Sequence, residues 1–393
     1  MSLKKSFKNI LGKNYYKFRL TYILNSVFGN YYISLRKKIK NFESKFSFLK
    51  KKLDKKIEHQ RIVHKESGFL IDGTKNNYLT YHLRPKIAEN FNLESTCELN
   101  EKIAVIIQGP IQDKFVFLKN TLKIYKKIFK NSIVIISTWE NENIELINSL
   151  KDENIFIIYN KEPEKKTPYN IDHQITSTNS ALKLAQQKDI QYCLKTRADI
   201  RIHKNNLETY LISLIKTFPV KKNNLTNSRI IVPSLITFRY RLYSLSDIVL
   251  FGETSDLLEY FKNENYKDGL EKLGLNEKNL LKNDTPVVAE IFLCSRFIHN
   301  INGQVHWSLE DWWNNLKDYF CIIDNSSLDL FWHKYDWDYE YRFLRTYSDK
   351  FSRAIDFQDW LSLYNNFDNN WYLDSSEHEK YDEQLKLTNI FKS

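Results

Sequence analysis

An arginine and an aspartate two positions apart follow an apolar segment near the middle of this chain, and they are the first residues that point to chemistry. The apolar segment runs over 190–194, and Arg197 and Asp199 come just after it. In an open α/β sheet, ligands bind beyond the carboxyl ends of the strands. A carboxylate fixed there beside a guanidinium suits a phosphate, held either through a metal ion or directly. The alternative interpretation is an ordinary salt bridge at a strand end.

Two further apolar segments also end in polar or turn residues. The run Ile103–Ile107 ends at Gln108-Gly109-Pro110, and the run Ile133–Ile136 ends at Ser137-Thr138-Trp139. If these segments are parallel strands, all three ends meet at one edge of the sheet and form a crevice. A phosphate site of this kind would be expected of an enzyme that uses a nucleotide-activated sugar as donor. The first two ends supply five candidate residues for binding this donor: Gln108, Gly109, Pro110, Thr138 and Trp139. Gly109 would let a base or ribose approach the backbone, although a simple turn explains it equally well.

The chain contains neither Gly-x-Gly-x-x-Gly nor Gly-x-x-x-x-Gly-Lys-Ser/Thr, so two common nucleotide-binding motifs are absent. A diphosphate bridged by Mg²⁺ or Mn²⁺ to Asp199 needs no glycine loop, because Mg²⁺ takes most of its ligands from water and phosphate. Arg197 or Arg201 could then offset the charge of a departing nucleotide. Gln174 and Asn179, on the helix before the Asp199 strand, could reach the donor sugar or ribose, or could simply lie at the surface.

Glycosyl transfer with inversion requires a carboxylate that removes the proton of the acceptor hydroxyl. Two downstream residues are candidates for this base. Asp247 opens a predicted strand over 247–251, and Glu290 lies in a largely apolar helix where an unpaired carboxylate would be costly. A capping or paired role is the alternative for each of them.

The elements that must position these residues alternate between strand and helix over the region 102–200. Strands are predicted at 103–107, 133–136, 155–159 and 192–195, with helices between them. Such alternation predicts a parallel sheet covered on both faces, whose strands are unbroken apolar runs. The fold class is therefore α/β, with a mostly parallel, Rossmann-like sheet flanked by helices. The aromatic-rich stretch after Trp307 has no clear assignment; its tryptophans could pack in the core or stack on acceptor sugars.

The charge of the chain is concentrated at its N-terminus. Of the overall net charge of +11, residues 1–60 contribute +13, from 16 Lys and Arg against three acidic residues. Together with many aromatic residues, this composition predicts a basic helical extension. Such an extension could lie on an anionic membrane surface, pack on the main domain or bind single-stranded nucleic acid. No nucleic-acid motif accompanies it, so nucleic acid is not an expected partner.

Composition and hydropathy set further limits. No segment is apolar enough over about 20 residues to predict a transmembrane helix. The four cysteines are scattered, which is typical of buried thiols rather than of a disulfide framework or a zinc site. The predicted organisation is a basic segment at 1–60, a connecting region at 61–101, a catalytic domain at 102–375 and a mobile tail at 376–393.

Five short motifs occur in order along the middle of the chain. They are Ile106–Ile111, Ile135–Trp139, Asn170-x-x-x-Gln174-x-x-Ser177, Lys195–Asp199 and Ser246–Gly252. In this series the chain resembles the WavE-type lipopolysaccharide-synthesis family over about residues 102–300. The resemblance implies a GT-A type glycosyltransferase fold, with Asp199 at the place of that fold's Asp-x-Asp motif and Arg197 in place of its first aspartate.

Taken together, these features predict a glycosyltransferase that uses a nucleotide-sugar donor and a divalent cation. Its acceptor would be a lipid-linked or oligosaccharide precursor of a bacterial surface glycan, either lipopolysaccharide core or capsule. The expected location is cytoplasmic, at the inner face of the cytoplasmic membrane. The alternative is a non-catalytic scaffold or ligand-binding protein of the same pathway at the membrane surface.

Overall fold

The computed structural model describes residues 84–91, 100–130, 132–221, 225–239, 241–275, 288–335 and 354–365. All of them belong to the unit that begins at Arg84. The predictions for the basic segment 1–60, for most of the connecting region 61–101 and for the tail 376–393 lie outside the described residues.

The centre of the described unit is a seven-stranded sheet. Its strands are β1 Ile103–Gln108, β2 Ile133–Trp139, β3 Ile155–Asn160, β4 Tyr192–Arg197, β6 Ile230–Pro233, β7 Leu250–Glu253 and β8 Phe320–Ile323. They are ordered β3-β2-β1-β4-β7-β6-β8. Neighbours run parallel, except that β7 is antiparallel to both β4 and β6. Strands β5 Ile200–Ile202 and β9 Leu330–Trp332 form a separate antiparallel pair.

Helices connect and cover the strands. They are α1 Phe115–Ile128, α2 Ile144–Asn148, α3 Ile171–Gln187, α4 Leu207–Thr217, α5 Thr254–Tyr260, α6 Tyr266–Lys272, α7 Ala289–Asn302, α8 Leu309–Tyr319, α9 Asn325–Leu328 and α10 Phe357–Asn365. None of the helices among the described residues is long and apolar enough to cross a membrane.

Hydrophobic periodicity explains why these segments adopt their structures. All six residues of β1 are buried, as expected for a strand that is covered on both faces. In α1, Leu118, Leu122 and Tyr125 repeat at helical spacing and face the core. In α3, Ile171, Ile175 and Leu182 do the same. The predicted α/β class with a mostly parallel sheet flanked by helices is confirmed.

The structure corrects one predicted strand and adds three. The strand predicted over 247–251 is β7 and begins at Leu250, so that Asp247 lies in the loop before it. The Asp247 carbonyl oxygen accepts hydrogen bonds from two side chains, which removes it from the strand ladder. Strands β5 and β9 have three residues each, too few for a periodic pattern to reveal them, and β8 lies in the aromatic-rich stretch that had no clear assignment.

The described part of the connecting region packs on α1 and β5. Arg201 donates to the carbonyl oxygens of Lys86 and Phe117, each at 3.0 Å. Lys127 donates to the carbonyl oxygens of Ala88 and Phe91, each at 2.8 Å. The buried Arg201 and the half-buried Lys127 therefore fasten this segment to β5 and α1 through its backbone.

The aromatic residues after 306 contribute to the core. Trp307, Trp312 and Trp360 are buried, and the Trp312 indole donates to the Phe238 carbonyl oxygen at 3.1 Å. Three thiols, of Cys193, Cys294 and Cys321, are also buried. Their predicted location in the core is confirmed, while Cys97 lies outside the described residues.

Candidate functional site

Three predicted strand ends lie side by side at the carboxyl edge of the sheet. Gln108, the last residue of β1, is in register with Ser137 of β2 on one side and with Arg197 of β4 on the other. The antiparallel β7 begins at this same edge, because Leu250 is paired with Lys195. The loop that precedes β7, with Asp247 in it, is thereby brought to the strand ends.

Buried hydrogen bonds lock the β1 and β2 ends to α3. The Ser177 hydroxyl donates to the Gln108 side-chain oxygen at 3.1 Å, and the Ser137 hydroxyl donates to the Ser177 carbonyl oxygen at 2.7 Å. Asn160 donates to Ser137 at 2.8 Å. Gln108 therefore has a fixed position at the carboxyl edge of the sheet.

Gly109 has a backbone conformation that requires glycine. Its φ is +111°, and a Cβ added there would meet no atom within 4 Å. The space beside its backbone is therefore open, while its N–H donates to the Ser137 carbonyl oxygen at 3.1 Å. Pro110 is exposed next to it. This arrangement permits a ligand to approach the backbone at the end of β1.

Glu142 ties the loop after β1 to the end of β2. It accepts a hydrogen bond from the Ile111 N–H at 2.6 Å and another from the buried Thr138 hydroxyl. Trp139 is buried too, with its ring edge-on to His173 at a centroid distance of 5.1 Å. The side chains of Thr138 and Trp139 are thus buried and held in place at the carboxyl end of β2.

Arg197 and Asp199 form a side-on, two-bond ion pair. Arg197 Nε donates to Oδ1 of Asp199 at 2.9 Å, and Nη2 donates to Oδ2 at 3.0 Å. The Trp332 indole donates to the same Oδ2 at 3.1 Å. Burial acts to raise the pKa of Asp199, but the hydrogen bonds and charge of Arg197 outweigh it and the pKa is lowered. Asp199 is therefore an ionised, fully engaged carboxylate.

The surroundings of Asp199 do not fit the predicted Mg²⁺ or Mn²⁺ site. Both carboxylate oxygens accept hydrogen bonds, and the nearby charges of Arg197 and Lys114 are positive. Within the described ranges, no group of three or more His, Cys, Asp or Glu residues is arranged to hold a metal ion. Asp199 as a metal ligand stays a prediction that this donor set does not favour.

Lys195 and Asp247 meet in the interior of the site. Lys195 is fully buried on β4, and its ammonium donates to the Asp247 carbonyl oxygen. Gln174 donates to Oδ2 of Asp247 at 2.9 Å, so α3 fixes this carboxylate. Burial lowers the pKa of Lys195 to about 7, although the carboxylates of Asp247, Asp199 and Glu290 oppose the change.

Glu290 lies in the first turn of α7 and faces the same group of charges. Burial raises the pKa of Glu290 well above its usual range, and the charge of Asp247 raises it further. Arg241 and Arg197 are close enough to oppose this shift. Two carboxylates and three cations therefore interact electrostatically where β4, α7 and the loop before β7 come together.

Unusual backbone conformations flank this junction. In the loop before β7, Ile236 and Tyr243 have φ values of +67° and +55°, and Ile236 is β-branched. On the other side, Tyr169 and Asn170 have φ values of +53° and +55° just before α3. Such conformations persist only where the surrounding structure enforces them, and they concentrate at functional sites.

Two residues considered from the sequence do not join this cluster. The Asn179 amide donates to the Phe261 carbonyl oxygen at 2.9 Å and so holds the end of α5. Arg201 is buried against α1 and the segment near Ala88. Asn179 is therefore buried and not at the surface, and both side chains bind backbone carbonyl oxygens of neighbouring segments.

Three residues of the site were not predicted: Lys195, Arg241 and Glu142. For Lys195 there was a sequence signal, because a lysine within an apolar strand that ends at the crevice must be compensated. Arg241 and Glu142 do not interrupt an apolar strand in the sequence, so nothing in the local pattern marks them. Only the tertiary structure reveals their positions.

Comparisons with known proteins place this geometry in context. A crystal structure of 4-diphosphocytidyl-2C-methyl-D-erythritol synthase is 10% identical with a TM-score of 0.26, over 46% of this chain and 87% of that one. A crystal structure of HddC from Yersinia pseudotuberculosis is 10% identical with a TM-score of 0.27, over 42% and 82%. No curated protein matches the chain.

A protein-family model gives the match that assigns the chain. The model is described as WavE lipopolysaccharide synthesis and covers residues 103–391, which include the whole sheet and every residue of the crevice described above. The resemblance seen in the five ordered motifs is thereby confirmed, and the chain belongs to the WavE lipopolysaccharide synthesis family.

Proposed function

We propose that this protein is a glycosyltransferase that moves a sugar from a nucleotide-sugar donor to a growing lipopolysaccharide or related surface glycan. The observation that carries the proposal is the hydrogen bonding of Lys195 and Gln174 to Asp247 at the carboxyl edge of the sheet, within electrostatic reach of Glu290, Arg197 and Arg241. A transferase of this kind needs positive groups for the departing nucleotide phosphate and a carboxylate for the acceptor proton.

In the reaction, the acceptor oxygen forms a bond to the anomeric carbon while the bond from that carbon to the phosphate oxygen breaks. The nucleotide phosphate leaves with the electron pair. The acceptor proton passes to a carboxylate, for which Glu290 is the better placed of the two candidates. Its raised pKa suits a base that works near neutral pH, and it is more exposed than Asp247.

Asp247 serves as a positioning residue in this scheme. Gln174 and Lys195 hold its carboxylate and its carbonyl oxygen, which fixes it beside Glu290. Its negative charge helps keep Glu290 a strong enough base to accept a proton. Gly109 and Gln108 supply the opposite wall, where the open backbone at the end of β1 suits the nucleoside.

The direct test is nucleotide release from a panel of nucleotide sugars, with lipopolysaccharide-core and capsule oligosaccharides as acceptors. We expect one donor to yield free nucleotide together with a product that is heavier by one sugar residue in mass spectrometry. Ligand binding without turnover across the whole panel would instead support a non-catalytic scaffold of the same pathway.

The charge of residues 1–60 supports a peripheral location on the membrane. We expect the full-length protein to sediment with vesicles of phosphatidylcholine and phosphatidylglycerol but not with phosphatidylcholine alone, and salt should release it. Changing four basic residues to serine should weaken this binding at least about tenfold, because each contributes about 1 kcal/mol near an anionic surface. The four are Arg36, Lys37, Lys38 and Lys40.

The matched control removes the same charge from the described part of the chain. It changes four exposed lysines to serine: Lys102, Lys151, Lys161 and Lys183. If this control weakens vesicle binding as much as the N-terminal variant does, the membrane contact is a general charge effect and the proposed role of residues 1–60 is wrong.

A further inference from the structure

The ion pair of Arg197 and Asp199 is arranged to present a cation rather than to bind one. Asp199 is the inner member, with a side-chain exposure of 5%, whereas that of Arg197 is 29%. The Arg197 guanidinium lies 5.5 Å from the centre of the Trp332 ring, whose indole donates to Asp199. Asp199 therefore holds one edge of the guanidinium through its two hydrogen bonds, and the Trp332 ring lies beside the guanidinium.

This guanidinium is oriented at the crevice by more than one contact. Asp199 engages Nε and Nη2 of the guanidinium through two hydrogen bonds, while the Arg197 side chain keeps an exposed fraction of 29%. The Asp199 carbonyl oxygen accepts a hydrogen bond from the His333 N–H at 2.8 Å, which fastens the loop beyond β4 to the end of β9. The positive charge of Arg197 also acts to lower the pKa values of both Lys195 and Glu290, so it lies within electrostatic reach of both groups.

Among the described residues, cations outnumber carboxylates around this point by one, four against three. Lys195, Arg241 and Arg197 face the carboxylates of Asp199, Asp247 and Glu290. Lys114 adds a fourth cation near Asp199, and its ammonium lies 3.3 Å from the Pro110 carbonyl oxygen on the β1 side. A divalent cation placed here would meet these charges and would have to displace Arg197 from Asp199.

We propose that Arg197, clamped by Asp199 and Trp332, takes the place of a divalent metal ion as the counter-charge for the phosphates of the nucleotide donor. The proposal deepens the proposed function and rests on it. A planar guanidinium binds phosphate oxygens through charge-assisted hydrogen bonds and needs no metal bridge. Asp199 acts here as a positioning residue, because its contact is with Arg197 and not with the phosphate.

Isothermal titration of the full-length protein tests this inference without relying on turnover. The probes are uridine, guanosine, adenosine and thymidine diphosphates and cytidine monophosphate, each in EDTA, in MgCl₂ and in MnCl₂. We expect at least one nucleotide to bind in EDTA with a Kd that either metal changes by less than about threefold. A gain of tenfold or more upon addition of metal would overturn the proposal.

Two variants of the ion pair test whether Arg197 supplies the counter-charge for the nucleotide. The double variant Arg197→Met, Asp199→Asn removes both charges together, so that no buried charge is left unpaired. It should bind the nucleotide at least about tenfold more weakly in EDTA, as expected for the loss of a charge-assisted contact. Arg197→Lys, which keeps the charge and loses the planar fork, should fold normally and bind several-fold more weakly. Unchanged binding in either variant would contradict the proposal.

Controls keep this inference distinct from the proposed function. Lys123→Met removes an exposed cation of α1 that pairs with Glu89, and it should leave the Kd unchanged. Metal-dependent turnover would refute the inference and leave the glycosyltransferase standing. Metal-independent binding that depends on Arg197, without sugar transfer from any donor, would refute the glycosyltransferase and leave the inference standing. If no nucleotide binds under any condition, both are wrong.

Discussion

Replacement of Glu290 by glutamine is expected to lower kcat for sugar transfer by about 10²–10⁴-fold, the usual contribution of a positioned general base. The substitution keeps the size and hydrogen-bonding capacity of the side chain but removes its ability to accept a proton. Because Glu290 is in the first turn of α7 and not in the core of the sheet, the fold should survive. Kd for the nucleotide, measured by titration, should change far less than kcat.

The dependence of kcat on pH provides a second test of Glu290 as the base. Glu290 acts as a base only when ionised, so kcat of the wild-type protein should rise with pH through the raised pKa of this carboxyl. Asp247→Asn removes a neighbouring negative charge and should move that rise to lower pH. Glu310→Gln is the matched control, since Glu310 is an exposed glutamate in the first turn of α8. Equal losses in Glu290→Gln and Glu310→Gln would rule out Glu290 as the base.

Replacement of Lys195 by methionine is expected to change how stability depends on pH. Burial lowers the pKa of Lys195 to about 7 in the folded protein, whereas an unfolded lysine titrates near 10.4. Between these values the unfolded chain binds one more proton, so the free energy of unfolding rises with pH by about 1.4 kcal/mol per unit. The unfavourable burial of the ammonium is thus greatest below the folded pKa and is relieved as the pH rises.

Urea unfolding at pH 7.5 and 9.0 measures this effect. The wild-type protein should gain about 2 kcal/mol relative to Lys195→Met over this interval. Buried thiols such as Cys193, with raised pKa values, affect both proteins alike and cancel in the comparison. Lys216→Met removes an exposed lysine and should follow the wild type. Parallel pH curves for wild type and Lys195→Met would show that the Lys195 ammonium keeps an ordinary pKa.

The four parallel strands β1 to β4 could be predicted because parallel strands covered on both faces consist of unbroken apolar runs. The predictions for β1, β2, β3 and β4 agree with the structure to within a few residues at each end. Polar residues at their carboxyl ends then had to share one edge, and the register of Gln108 with Ser137 and Arg197 confirms this.

The partners of the polar residues could not be predicted in the same way. Asp247 was expected within a strand, yet it lies in a loop where Lys195 and Gln174 hold it. Glu290 is far from Asp247 in the chain, and its role depends on their proximity. Contacts between residues so far apart in the chain depend on how α7 and the loop before β7 pack on the sheet. Such packing leaves no pattern in the local sequence.

The α/β class, the sheet edge at which the polar strand ends meet and the family of the chain could all be predicted from the sequence. These follow from local periodicity and from ordered motifs, which need no knowledge of the packing. Only the tertiary structure reveals that Asp199 accepts hydrogen bonds from both Arg197 and Trp332, and that Lys195 is buried near carboxylates. The physical reason is that charge compensation depends on distances between side chains, and only the folded chain sets these distances.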